Sequence, residues 1–136
     1  MKINKHIEHA NNTQINFKTL LDLCAGEDTM FMMDLVDMFI ESIEKIMMQL
    51  EVACNNKNAT VVYETAHKAK SSLSIIQINS MWVKIDQLET EAKNGLWSPH
   101  WMNIIEQLKN SWVQITPFLE NWKKTITPNI QVSELI

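Results

Sequence analysis

The sequence predicts an all-α fold: an up-down-up-down four-helix bundle with a short N-terminal capping helix. Three observations carry this. The 136 residues include only two glycines and three prolines, too few for the many tight turns of an all-β chain. Apolar residues recur at i+3 and i+4 over long stretches, which is helical spacing. Short breaks rich in Asn, Gly and Ser-Pro separate those stretches, and short connections make consecutive helices antiparallel neighbours.

Residues 1–14 read as a flexible N-terminal leader, residues 15–126 as the bundle, and residues 127–136 as a loose C-terminal tail. Asn16 is placed to cap a short helix through Phe17, Leu20, Leu21 and Cys24, and Gly26 to end it. Glu27 or Asp28 opens a long helix, since an acid suits the positive end of the helix dipole. Its apolar face is read as Phe31, Leu35, Met38, Phe39, Ile43, Ile46, Leu50 and Ala53. Asn55 to Asn58 form the next break, and a third helix runs from about Ala59 to Ile76. Asn79 or Ser80 caps a fourth, carrying Trp82, Ile85, Leu88, Glu89 and Ala92 and ended by Asn94-Gly95. Ser98-Pro99 starts the last helix, with proline suited to a first turn. It bears Trp101, Ile104, Ile105, Leu108, Trp112 and Ile115. Pro117 should kink or end it, because proline lacks an N–H and clashes with the preceding turn. Phe118, Leu119 and Trp122 lie on the same face beyond it.

Hydrophobic residues make up 46% and charged residues 21% of the chain, an ordinary globular balance for one domain. The net charge of −4 and the lack of a basic stripe speak against a nucleic-acid groove. No apolar run approaches the roughly 20 residues needed to span a membrane, and the polar start lacks a signal peptide's apolar core. Cys24 and Cys54 sit in apolar helical contexts and read as buried thiols. A cytoplasmic protein is expected, and Met1 with the polar leader favours a free-standing chain over a domain of a larger protein. The nine methionines and five tryptophans read as core filling at helical spacing.

The chemistry centres on His67. Stepping 100° per residue puts Thr60, Tyr63, Glu64, Lys70, Ser71 and Ser74 on its side of the third helix. The opposite side holds Val62, Thr65, Ala66, Ala69, Ser72, Leu73 and Ile76, apolar or small as a packed face should be. His67 therefore points outward, with Lys70 and Ser71 a turn further along. Neutral imidazole is a nucleophile near physiological pH. Lys70 would offset the charge of a phosphoryl group carried on that ring. Ser71 would leave room for a partner surface or donate a hydrogen bond. Glu64, Lys68 and Ser74 are the candidate partner-binding residues around it.

The run Ala66-His67-Lys68-Ala69-Lys70-Ser71-Ser72 resembles the phosphorylation motif of histidine-containing phosphotransfer (HPt) domains, roughly A-H-x-L-K-G-S-S. Asp34-Leu35-Val36-Asp37-Met38-Phe39-Ile40 resembles that family's long helix before the motif. Leu88-Glu89 and Ala92-Lys93-Asn94-Gly95 resemble the L-E-x-x-A-R-x-G that ends the following helix. The similarity spans roughly residues 17–120 with no gap between His67 and Glu89. It implies a phosphorelay intermediate of two-component signalling. In that reading His67 accepts a phosphoryl group from the aspartate of a response-regulator receiver domain and passes it to another, while Lys70 stabilises the phosphate. The implied partners are receiver domains and a hybrid histidine kinase. No intrinsic cofactor is implied, and Mg²⁺ belongs to the receiver. Ser71 and Gln77 stand where the family usually has glycine, and Ala69 where it has leucine. These departures bear on partner choice more than on the histidine or the lysine.

Two other readings compete. One is a module that binds receivers without carrying phosphate, suggested by the acidic, methionine-rich stretch near residues 30–48. The other is a metal-binding bundle, since Glu64-Thr65-Ala66-His67 is a Glu-x-x-His. That motif has no second helical copy, and the close pair His6 and His9 lies in the leader. No metal site is therefore expected. With no Gly-rich phosphate loop, the chain is not expected to use ATP or phosphorylate itself.

Overall fold

A computed structural model describes residues 15–126 of the chain, so the leader and tail expected at its two ends lie outside the described residues. The elements in order are β1 (Ile15–Asn16), α1 (Lys18–Leu23), α2 (Thr29–Asn55), α3 (Ala59–Ser72), β2 (Gln77–Ile78), α4 (Asn79–Ala92) and α5 (Trp101–Thr125). The architecture is the predicted all-α one: four long helices in a bundle with α1 across one end.

Cross-helix pairs give the directions. Asp37 and Glu51 of α2 meet Lys123 and Lys109 of α5, so those two helices run antiparallel. His67 and Lys70 of α3 meet Glu89 and Asp86 of α4, and that pair is antiparallel too. Met32, Val36, Phe39, Ile43 and Leu50 of α2 are buried against Val62, Ala66 and Ala69 of α3, Ile85 and Leu88 of α4, and Trp101, Leu108 and Leu119 of α5.

Helix starts follow local chemistry. The Asp28 carboxylate accepts the Phe31 N–H at 3.0 Å and caps α2, and Asn58 caps α3 through the Val61 N–H at 3.2 Å. A side-chain oxygen at such a position satisfies one of the free N–H groups of a first turn. Asn16 accepts the Lys18 N–H at 2.8 Å, leading the chain into α1. Gly26 has φ of +86°, a conformation that costs a residue without Cβ nothing. Neither Asn79 nor Ser80 caps α4: Asn79 is its first residue, and no side-chain bond closes that end.

Four further details differ from the sequence reading. The buried face of α2 begins at Met32 and Val36, and Phe31 and Met38 are exposed. The stripe drifts along a helix of 27 residues because apolar positions flank the true face on both sides. Of the tryptophans and methionines read as core, Trp82, Met30, Met38, Met48 and Met102 are exposed. α3 stops at Ser72 rather than Ile76. There the Ser74 hydroxyl donates to the Ser71 carbonyl at 2.6 Å, a serine bond that competes with the helix ladder. The chain then extends, and Gln77 and Ile78 pair antiparallel with Asn16 and Ile15, a short ladder that two-residue strands leave invisible to periodicity. Of the two outcomes read for Pro117, kinking or ending α5, the second does not occur: the helix continues to Thr125, and Leu119 and Trp122 carry on its buried face as read. Buried Trp112 and Ile115 before Pro117 and Leu119 and Trp122 after it hold the helix in place across the missing bond.

The capping helix is fastened by Phe17, which is fully buried and stacks on Trp122 with ring centroids 4.3 Å apart. Together with the β1–β2 pair it closes the end of the bundle nearest the C-terminus of α3.

Candidate functional site

α3 presents the face expected of it. Val62, Thr65, Ala66, Ala69 and Leu73 are buried, and Thr60, Glu64, His67 and Lys68 are exposed. The His67 side chain is 69% exposed, and the Tyr63 ring stacks beside it with centroids 6.3 Å apart.

The antiparallel packing of α3 on α4 brings carboxylates to this face. Glu89 Oε2 lies 2.8 Å from His67 Nδ1. The other oxygen of the same carboxylate accepts from Lys70 Nζ at 3.2 Å, and Asp86 Oδ1 accepts from Lys70 Nζ at 2.7 Å. Lys70 Nζ also sits 4.7 Å from the centroid of the Trp82 ring, within cation–π range. His67 and Lys70 are thus bridged by one side chain.

Burial pushes the Glu89 carboxyl up. The hydrogen bonds from His67 and Lys70 and the Lys70 charge outweigh it and hold the group below its ordinary value. The Asp86 hydrogen bond raises Lys70 above the usual lysine value; burial opposes this and the Glu89 bond adds to it. Both groups are therefore charged near neutrality. An ionised carboxylate only accepts hydrogen bonds, so the hydrogen of the His67–Glu89 contact resides on Nδ1. In the neutral ring this leaves the lone pair on Nε2. The arrangement is an exposed imidazole whose tautomer and orientation are set by a carboxylate.

The remaining predicted residues lie around this centre. Ser71 is exposed at the last turn of α3. Ser74 is exposed but lies beyond the helix, in the turn before β2. Glu64 and Lys68 line a groove between α2 and α3, with Met48, Val52 and Val61 as its apolar wall and Lys45 across from them. The sequence reading puts Lys70 on the outward face beside His67 and gives it no partner on another helix. Lys70 is half-buried and held by two carboxylates.

Asp86 and Trp82 are the residues the sequence reading missed, and Glu89 was read only as part of a resemblance. A signal was present: Trp82, Asp86 and Glu89 follow i, i+4, i+7 spacing and so share one side of α4. Assigning that stripe to Lys70 required the register between α3 and α4, which no single helix encodes. Among the described residues no group of three or more His, Cys, Asp and Glu is placed to hold a metal ion. His6 and His9 lie outside the described residues. Among the described residues no helix is long and apolar enough to cross a membrane.

No family model and no curated protein sequence matches the chain. Among solved structures it is similar to histidine-containing phosphotransfer protein B from Pseudomonas aeruginosa PAO1, with TM-score 0.74 and 18% identity over 84% of this chain and 97% of that one. The chain therefore has an HPt-like all-α bundle fold.

Proposed function

We propose that this chain is a phosphorelay intermediate that carries a phosphoryl group on Nε2 of His67. The observation that carries the reading is the exposed ring with Nδ1 held by Glu89 at 2.8 Å, on an HPt-like fold. In the step, the Nε2 lone pair attacks the phosphorus of an aspartyl phosphate on a receiver domain. An N–P bond forms, the P–O bond to the aspartate breaks, and the receiver carboxylate leaves with its electron pair. Glu89 keeps the proton on Nδ1 throughout. In the return step the ring then departs as neutral imidazole, a better leaving group than an anionic ring. A second receiver takes the phosphoryl group. Mg²⁺, supplied by the receiver, offsets charge on the phosphoryl oxygens, and Lys70 contributes a cation from this chain. A hybrid histidine kinase is the expected upstream source.

The partner would approach along the side where Glu64, Lys68, Ser71 and Ser74 surround His67. The apolar wall beside Lys68 favours a docking role for this face. It also supports a second reading, in which the chain binds receivers without carrying phosphate. Incubation with a radiolabelled phospho-receiver separates the two. The relay reading expects label on the wild type and none on His67→Gln. Equal labelling of both would overturn His67 as acceptor, and receiver binding without any label on the wild type would favour the docking module.

A further inference from the structure

The Lys70 ammonium is already occupied before a phosphoryl group arrives. It donates to Asp86 at 2.7 Å and to Glu89 at 3.2 Å, and the Trp82 ring covers another side at 4.7 Å. An ammonium has only three N–H donors. A phosphoryl group on His67 would therefore enter a site where one cation already faces two carboxylates. To give it more than the one N–H left beside the Trp82 ring, Lys70 has to change partners.

The two carboxylates are not equally able to let go. Glu89 is 16% exposed and bonds both His67 and Lys70, whereas Asp86 is 41% exposed and its ion pair is with Lys70. Water can take over at Asp86 at small cost, because exposed pairs are weak. We propose that Asp86 is a positioning residue that competes with the phosphoryl group for Lys70. Lys70 passes from Asp86 to the phosphoryl oxygens when His67 is loaded and returns when it is unloaded. Asp86 so keeps the phosphoryl group loosely held, which suits a carrier that must give it up. This inference rests on the reading of His67 as acceptor.

The test loads the full chain with phosphoramidate, which needs no receiver. The Nε2 lone pair attacks phosphorus, the N–P bond to His67 forms, the donor's P–N bond breaks, and ammonia leaves from the protonated donor nitrogen. Phosphorus NMR then follows the acid titration of the bound phosphoryl group. Asp86→Asn frees Lys70 for the dianion and should raise that group's acid dissociation constant about two- to fivefold. Asp86→Glu should restore wild-type behaviour, and in a Lys70→Gln background the effect of Asp86→Asn should shrink to the weak direct repulsion between two solvated anions. A purely structural role for Asp86 would not depend on Lys70. Wild type that loads normally but titrates like Asp86→Asn overturns the competition alone. Equal effects of Asp86→Asn with and without Lys70 also overturn it. Absence of a signal specific to His67, judged against His67→Gln, overturns the acceptor reading with it.

Discussion

Replacing Glu89 by glutamine and by alanine separates its grip on His67 from its charge. The Glu89 side chain is 16% exposed, so its hydrogen bond is little diluted by water, but the ring it holds is 69% exposed. Hydrogen bonds to charged groups contribute about 1.5–3 kcal/mol. With one partner in solvent the lower end applies, and alanine should slow transfer about tenfold. Glutamine can still accept the Nδ1 hydrogen through its amide oxygen. A neutral bond is roughly half as strong as a charge-assisted one, so its loss should be about threefold. Single-turnover transfer from a radiolabelled phospho-receiver measures both, with thermal unfolding run alongside to show that the variants fold. An alanine variant that transfers at the wild-type rate while folding normally refutes the positioning argument. Equal loss in both variants would show that the carboxylate charge matters and its hold on the Nδ1 hydrogen does not.

Lys70→Ala should slow transfer while leaving helix content unchanged, because the side chain ties two helices through partly exposed pairs rather than through the core; circular dichroism and the transfer assay check the two halves separately. Glu89 is lowered from its ordinary 4.5, so its stabilising contribution is present above that pH and is lost as pH falls through the depressed folded value. The stability gap between wild type and Glu89→Gln, read by thermal melts, should accordingly shrink below about pH 4.5; a gap that is constant into acid would contradict this. Phe17→Ala empties a fully buried stack on Trp122. It should cost about 3–5 kcal/mol and lower Tm by about 10–20 °C, measured by thermal denaturation.

The sequence carried the fold because the bundle is made of local signals. Asp28, one of the two acids read as opening α2, caps it, and the break read at Asn55 to Asn58 ends in the cap of α3; the buried side of α3 follows from the 100° step alone. What escaped was whatever depends on a second element. The short β1–β2 ladder joins Ile15 to Ile78, and neither pair of residues is long enough to show a period. The carboxylate bridge is similar in kind: Glu89 and Asp86 are ordinary acids on α4 until antiparallel packing sets them beside His67 and Lys70. His67 and Lys70 could be found on one helix. The state of Lys70, engaged rather than free, could not.

Pro117 gives the sharpest test of how far packing overrides local preference. Within a helix interior proline is about 3 kcal/mol less favourable than alanine, yet α5 continues through it to Thr125. The carbonyl left without a donor is that of Val113, and Val113 and Pro117 are both exposed, so water can serve it. The Thr116 hydroxyl donates to the neighbouring Trp112 carbonyl at 2.7 Å, a back-bond of the kind that favours a bend here. Part of the penalty is therefore already relieved. Proline also restricts the unfolded chain, which offsets up to about 1 kcal/mol more. Pro117→Ala should then stabilise the protein by about 1–2 kcal/mol, a rise in Tm of about 3–8 °C on a scanning calorimeter. A fall in Tm would mean that α5 needs a bend at this point to lay Trp112 and Trp122 against the same core, and that the proline shapes the bundle instead of being tolerated by it.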